Sequence, residues 1–234
     1  MRSALVPEAK RTGKREMRGA QTKTAILDAA EELFASRGFH GVPIREIARA
    51  SGGVPLALVS YHFDSKEGLF AAIFDRRMDA INQERCHMLD AALATARIAK
   101  TPPQLEAVMS ALIVPIVKLS RDPGRGGVHF ARLVAQVLSE PEEPRVYDIV
   151  AKHFDSIAER VQAALELALP GSNPTAVYWG YHLAVGSFLY AMANTGRLER
   201  LSKGRSSTTD PDAIIEHSVR YASAGLRSLA SEPE

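Results

Sequence analysis

The segment Pro43–Lys66, PIREIARASGGVPLALVSYHFDSK, constrains this chain more than any other, because it joins two short apolar-faced stretches across a glycine-rich break. In the first stretch Ile44, Ile47 and Ala48 share one face at helical spacing, and Pro43 stands where a first-turn proline sacrifices no hydrogen bond. Ser51-Gly52-Gly53 ends that pattern. In the second, Pro55 to His62, Val59 faces inward with Leu56 or Phe63 beside it, which leaves Leu58, Ser60, Tyr61 and His62 on other faces. Two short helices about a tight glycine turn form a helix-turn-helix, whose second helix enters the major groove of DNA.

The flanking residues supply a core for such a unit. From Thr22 to Arg37 the apolar positions Ile26, Leu27, Ala30, Leu33 and Phe34 make one amphipathic stripe, and Gly38 closes it with a left-handed cap. The stripe is expected to pack on Ile44, Ile47, Val59 and Phe63 as a three-helix head. Asp64 and Glu67 have the spacing of a capping box, opening a helix that carries Leu69, Phe70, Ile73 and Phe74 and runs past Ala91. Beyond it, Pro102-Pro103, Asp122-Pro123-Gly124, Pro141 to Pro144, Pro170-Gly171 and Ser206 to Pro211 fence off helices near 104–120, 126–139, 145–169, 175–199 and 211–229. Residues 197–209 read as a surface loop between the last two. No strand pattern or internal repeat is present in the sequence, so the chain is expected to be all-α with eight or nine helices. A basic arm is expected over residues 1–20, the DNA-binding head over 21–68 and a helical remainder over 69–234.

Charge follows the same division. Residues 1–63 carry ten Lys and Arg against six Asp and Glu, +4, so a chain of net charge +2 has −2 in its remainder. The basic end suits a polyanion, although a solvated basic tail has the same composition. Arg2, Lys10, Arg11, Lys14, Arg15 and Arg18 in the arm either follow the minor groove or phosphates, or belong to an unstructured leader. The single cysteine, Cys86, rules out an internal disulfide and a cysteine-rich zinc site. No apolar run reaches the ~18–20 residues that span a bilayer, and no apolar core follows the basic N-terminus as a secretion signal requires. A cytoplasmic protein without membrane attachment is expected.

Residues 25–69 resemble the TetR family of transcriptional regulators. The resemblance rests on Ala25-Ile26-Leu27-Asp28-Ala29-Ala30-Glu31-Glu32-Leu33-Phe34, Gly38-Phe39, Ile47-Ala48, the glycine turn, and His62-Phe63-Asp64-Ser65-Lys66-Glu67-Gly68-Leu69. Two departures stand out. Val42-Pro43 replaces the usual hydroxyl pair that caps the helix and meets a phosphate, and Ser51-Gly52-Gly53 is one residue longer than the common turn. The Leu56 to Phe63 segment is similar to a branch ending in Tyr-His-Phe, some members of which respond to fatty-acyl ligands. The resemblance implies a helix-turn-helix domain followed by a helical effector-binding and dimerisation domain. It further implies a repressor that binds a palindromic operator as a homodimer and is released by a small molecule.

Carried over position by position, the resemblance implies base or near-base contacts from Arg45, Leu56, Ala57, Leu58 and Ser60, and phosphate contacts from Tyr61, His62 and Lys66. The chemistry agrees: a guanidinium bonds guanine O6 and N7 together, and aliphatic side chains meet thymine methyls. Arg45 beside Glu46 is alternatively a surface pair, and His62 alternatively a buried hydrogen-bonding residue. Lys66, in a first helical turn where the dipole disfavours a cation, is easier to explain if an anion arrives. The implied dimer surface is 175–196, where Gly180, Ala184, Gly186, Ser187 and Ala191 lie among large apolar residues, with 211–229; the central helix of a monomeric bundle is the alternative for 175–196. Candidate effector-lining residues are Met88, Met109, Phe130, Phe154, Trp179 and Tyr190; Met and aromatic residues at helical spacing equally suit plain core. His129, His153 and His182 are separate polar candidates. No cofactor or metal is expected, and no enzyme: the chain has no G-x-S-x-G and no H-E-x-x-H. Gly124-Arg125-Gly126-Gly127 lacks the Lys-Ser/Thr of a phosphate loop and reads as a connector. An architectural DNA binder without an effector is the alternative, and an all-helical enzyme the more distant one.

Overall fold

The computed structural model describes residues 8–120, 122, 127–139, 144–193 and 195–231. Those residues form ten helices and no strand: α1 Glu8–Arg37, α2 Ile44–Ala50, α3 Leu56–Phe63, α4 Lys66–Ala99, α5 Leu105–Ser120, α6 Gly127–Ser139, α7 Pro144–Ala168, α8 Pro174–Met192, α9 Arg197–Ser202 and α10 Pro211–Ala230. The chain divides after Ile73, within α4, into two compact units. The connectors at 123–126 and 141–143 and the first seven residues lie outside the described residues.

In the first unit α1 starts at Glu8 rather than near Thr22, so helix replaces the expected arm from that point on. The added stretch has no apolar face, but it contains no proline and is rich in Ala, Lys, Arg, Glu, Met and Gln, which favour helix intrinsically. Gly38 closes α1 with φ +70° and its N–H on the Phe34 carbonyl, 2.8 Å. The core of this unit is Ile26, Leu27, Ala30, Phe34, Phe39, Val42, Ile47, Val59, Phe63, Leu69, Phe70 and Ile73. Leu33 and Ile44, expected in it, are only half-buried. The centre of the core is a trio of rings, Phe34, Phe39 and Phe70, with centroids 5.1–5.7 Å apart and both Phe70 pairs edge-on. That geometry adds quadrupole attraction to the area buried.

The second unit is a helical bundle in which α10 packs on α8 and α5, and α5 also meets α6 and α7. Helices α5, α6, α7 and α10 start and stop close to where punctuation placed them. The expected helix 175–199 is instead divided: α8 stops at Met192, Gly196 turns at φ +67°, and α9 occupies part of the expected loop. One carboxylate anchors much of the chain after α9. Glu199 accepts the Thr208 N–H at 2.6 Å and the hydroxyls of Thr208 and Ser207 at 3.0 Å. The backbone bond from Thr208 leads the interactions that hold its pKa down to about 2.

One close approach decides how α8 meets α10. Gly180 faces Leu226 so tightly that a Cβ built on it would stand 2.3 Å from Leu226 Cδ2 and 2.9 Å from Cγ. Leu226 is itself buried, so giving way means displacing packed neighbours. Gly180→Val is therefore expected to lower unfolding stability by about 1–3 kcal/mol, read as a shifted denaturation midpoint. An unchanged midpoint would show that the two helices part freely at this point.

Candidate nucleic-acid interface

Helix α3 has only eight residues and no side-chain cap at Pro55, so it depends on its neighbours for its form. Val59 and Phe63, four residues apart, are its buried anchors. Of the two partners that sequence allowed for Val59, the structure selects Phe63; Leu56 is 52% exposed. The outward surface is made of Leu56, Ala57, Leu58, Ser60 and Tyr61, all exposed, with Tyr61 the most prominent at 79%. A surface of two leucines, an alanine, a hydroxyl and a phenol has few ways to bond water and suits thymine methyls and backbone oxygens.

The turn before α3 sets its direction. Ser51 N–H and Oγ both donate to the Ile47 carbonyl, at 2.9 and 2.6 Å, and Gly53 N–H reaches the Arg49 carbonyl at 3.1 Å. Gly52 and Gly53 then take φ +89° and +75° in succession. Such values exclude most side chains by backbone sterics alone.

Arg45 is exposed on α2. Its neighbour Glu46 is engaged elsewhere, accepting from Arg37 at the end of α1, and that hydrogen bond is the main reason its carboxyl lies below the usual range. Arg45 is therefore not tied up as the partner of the adjacent glutamate. His62 is half-buried with its ring 5.3 Å from Tyr61 and 6.0 Å from Phe63, an aromatic rather than a hydrogen-bonded setting. Lys66 opens α4, and its ammonium lies 4.5 Å from the centroid of Phe39 and 5.9 Å from that of Phe34. The rings supply the negative face that the helix dipole denies this cation, and partial burial pushes its pKa down. The cap of α4 is Ser65, whose Oγ accepts the Gly68 N–H at 2.9 Å. Asp64, expected in that role, instead ends α3 at φ +59° with its N–H on the Ser60 carbonyl. Lys23 on α1, which sequence reasoning passed over, places its ammonium 5.9 Å from the Phe63 ring beside the end of α3.

In the second unit the six effector candidates separate into three groups. Phe154 and Tyr190 line a cleft of 570 Å³ among α4 to α8, and Met88 lines a groove of 690 Å³ between α4 and α5. Met109 and Phe130 line neither, being wholly buried in the core, where Phe130 stacks edge-on with Phe74 at 5.3 Å. Trp179 lines neither because it points outward from α8, 58% exposed. Of the histidines, His153 is buried with Nε2 2.9 Å from Asp75 Oδ1, His129 is half-buried and His182 is exposed against Trp179. Among the described residues no three His, Cys, Asp or Glu come together to hold a metal ion, and no helix is long and apolar enough to cross a membrane. One further cleft residue was missed: Arg85, buried on α4. Its signal is present in the sequence, since it continues the stripe Met78, Ile81, Arg85, Leu89 at helical spacing.

Comparison with known proteins agrees with this architecture over both units. Residues 26–73 match the family described as bacterial regulatory proteins, tetR family, and residues 110–225 match the tetracyclin repressor-like C-terminal domain. The chain belongs to the TetR family. Among curated TetR-family relatives, the HTH-type transcriptional regulator RutR of Escherichia coli is 40% identical over 70 residues, 30% of this chain and 32% of RutR. UidR of Escherichia coli is 42% identical over 52 residues, 22% of this chain and 26% of UidR. The chain thus matches a third or less of the length of these relatives. Solved structures extend the likeness in fold. The fatty acid degradation regulator FadR of Bacillus halodurans superposes with a TM-score of 0.62 at 15% identity, over 88% of this chain and 96% of that one. FadR of Bacillus subtilis, solved in complex with stearoyl-CoA, gives 0.56 at 14% identity over 90% and 99%.

Against the TetR-family pattern, the Val42-Pro43 departure has a clear local consequence. Val42 is fully buried, and Pro43 caps α2 without any side-chain hydrogen bond. Gly52 and Gly53 complete the turn before α3 at positive φ. Gly52→Ala and Gly53→Ala are each expected to lower stability by about 1 kcal/mol, whereas Gly19→Ala, within α1 and with open space about it, raises it or leaves it unchanged. Denaturation of the three variants checks this; equal effects from all three would contradict the role of the turn.

Proposed function

We propose that this chain is a transcriptional regulator that reads a palindromic duplex operator as a homodimer, and that an apolar-bodied small molecule releases it. The observation that carries the reading is the outward face of α3, where Leu56, Ala57, Leu58, Ser60 and Tyr61 are exposed on a helix anchored by Val59 and Phe63. Arg45 and Ser60 then supply hydrogen bonds to base edges, Leu56, Ala57 and Leu58 meet thymine methyls, and Tyr61, His62 and Lys66 hold phosphates. Such a protein acts in the cytoplasm with DNA as its partner, and its role is binding rather than catalysis.

A single head covers one half-site, and half-sites about 34–36 Å apart are read by two-fold dimers. The surface that supports a dimer is on α8 and α10. Tyr178, Trp179, Leu183, Tyr190 and Tyr221 are each more than half exposed. Trp179, Leu183, Gly186 and Tyr190 form one stripe at helical spacing, and a Cβ on Gly186 or Gly225 would meet nothing, which lets a partner helix come close. The effector site is assigned to the 570 Å³ cleft, whose volume falls within the ~300–1,000 Å³ common for small-molecule sites. Release requires that the effector bind the DNA-incompetent state more tightly. The stearoyl-CoA bound by the Bacillus subtilis structure supports an acyl-like body for it.

Two sets of variants test this. Arg45→Ala is expected to cost about 1–3 kcal/mol on operator DNA and to relax preference at particular bases, while Lys66→Ala weakens binding to all sequences and lowers the salt slope by about one. Mobility-shift titrations on operator and random duplexes separate them, with melting in the absence of DNA as the control for the Lys66 ring contact; equal losses on both DNAs for Arg45→Ala would remove it as a base reader. Leu183→Glu combined with Tyr221→Glu is expected to convert a dimer at micromolar concentration to monomer by sedimentation. A parent protein already monomeric there would contradict the dimer.

A further inference from the structure

The buried cation of the second unit has no anion to answer it. Arg85 is 3% exposed, on α4. Its Nε–H donates to the Leu112 carbonyl at 3.0 Å and one Nη1–H to Asn82 Oδ1 at 3.1 Å. Both acceptors are neutral, and they use two of the five N–H donors that a guanidinium carries. Asn82 is itself held in place, giving its Nδ2–H to the His153 carbonyl at 2.7 Å. No carboxylate pairs with Arg85 among the described residues; the groups acting on its charge are Tyr181 and Cys86. Burial pushes the guanidinium down to about 10, which still leaves it charged at neutral pH. An ionised group removed from water without a counter-charge is costly, and a core arginine is usually paired for that reason.

The same Arg85 lines the 570 Å³ cleft, together with Leu112, Ile116, Val134, Phe154, Ile157 and other apolar side chains. Tyr181 also lines it, its phenol kept protonated by burial and so able to donate. The other ionisable groups on the lining are Asp155, Tyr147, His182 and Tyr190. Asp155 is exposed and accepts the Tyr147 hydroxyl at 3.2 Å, so its charge is met by water and that phenol rather than by Arg85. His182 is exposed at the rim with Tyr190. The cleft therefore has an apolar wall, a fixed cation with spare donors, and a route to the surface. The larger groove along α4 and α5 has Glu84 and Lys118 together on its lining and offers no such isolated charge.

We propose that the effector of this protein is an apolar-bodied carboxylate whose anionic head is bound by Arg85, with Tyr181 as a second donor. This rests on the reading of the cleft as the effector site. A guanidinium matches a carboxylate in two parallel hydrogen bonds, and pairing in a low-dielectric cleft removes the cost of the lone buried charge. A neutral ester or amide of the same body leaves that charge unanswered, so the cleft discriminates by charge as well as by shape.

The test is direct binding to the full-length protein without DNA, by calorimetry, using decanoate and naphthoate, each beside its own primary amide. At least one carboxylate is expected to bind roughly 10–100-fold more tightly than its amide, the worth of a charged hydrogen-bonded pair. Arg85→Met, which keeps the stem and removes the charge, is expected to abolish that preference, and Arg85→Lys to keep part of it; melting of both variants shows that they are folded. If each amide binds as well as its carboxylate, if neither carboxylate binds, or if the preference survives in Arg85→Met, the inference is overturned. Operator release is measured separately: a carboxylate that binds through Arg85 without releasing DNA upholds the inference and contradicts the release part of the proposed function.

Discussion

An eight-residue helix has almost no stability of its own in water, since nucleating a turn costs more than so few hydrogen bonds return. Whatever α3 does, it does because Val59 and Phe63 are held by the core beneath it. That core is built from the stripe on α1, from Val42 and Ile47, and from the first turns of α4, with the Phe34, Phe39 and Phe70 rings locking edge to face at its centre. Rings packed in this way resist shear, so the outward side chains of α3 keep a fixed relation to α1 and α2. The glycine turn adds the remaining constraint, two consecutive positive-φ residues that aim α3 without a side chain in the way.

Lys66 shows how a residue placed for packing can still face solvent. Its ammonium over Phe39 ties the start of α4 to the ring cluster, and partial exposure leaves it able to meet a phosphate. The second unit handles polarity differently. There a missing side chain, at Gly180, brings α8 and α10 together, while a charged one, Arg85, is buried in a mainly apolar cleft. The close approach stabilises the bundle, whereas the buried charge is no gain for a bundle that only needed to be stable. That charge makes sense if the cleft receives an anion.

Much of this was legible in the residues. Period-3.6 stripes and proline or glycine punctuation placed α5, α6, α7 and α10 to within a few residues, because those signals act locally on the backbone. The errors arose where propensity or tertiary packing decided instead. Residues 8–21 have no apolar face to reveal a helix, yet their composition favours one. Asp64 has a capping spacing, but it was already committed to ending α3, so Ser65 took the cap. At the candidate sites, the face of α3 could be assigned from Val59 alone once its inward direction was known. Pocket lining could not be read from residue type: Met109 and Phe130 went to core, Trp179 to the surface, and only Met88, Phe154 and Tyr190 to concave walls. A polar residue on an apolar stripe, as Arg85 is, carries more information than another aromatic, because burial of charge demands a reason.

The central claim is that two copies of the α3 surface read DNA in a fixed two-fold relation. The most direct measurement is selection of bound duplexes from a random pool at moderate salt, followed by sequencing of the survivors. Enrichment of an inverted repeat, with half-sites separated by a constant spacing and affinity that falls steeply with salt, is the result this account predicts. Recovery of sequences with no common element, or of a single unrepeated half-site, would contradict it.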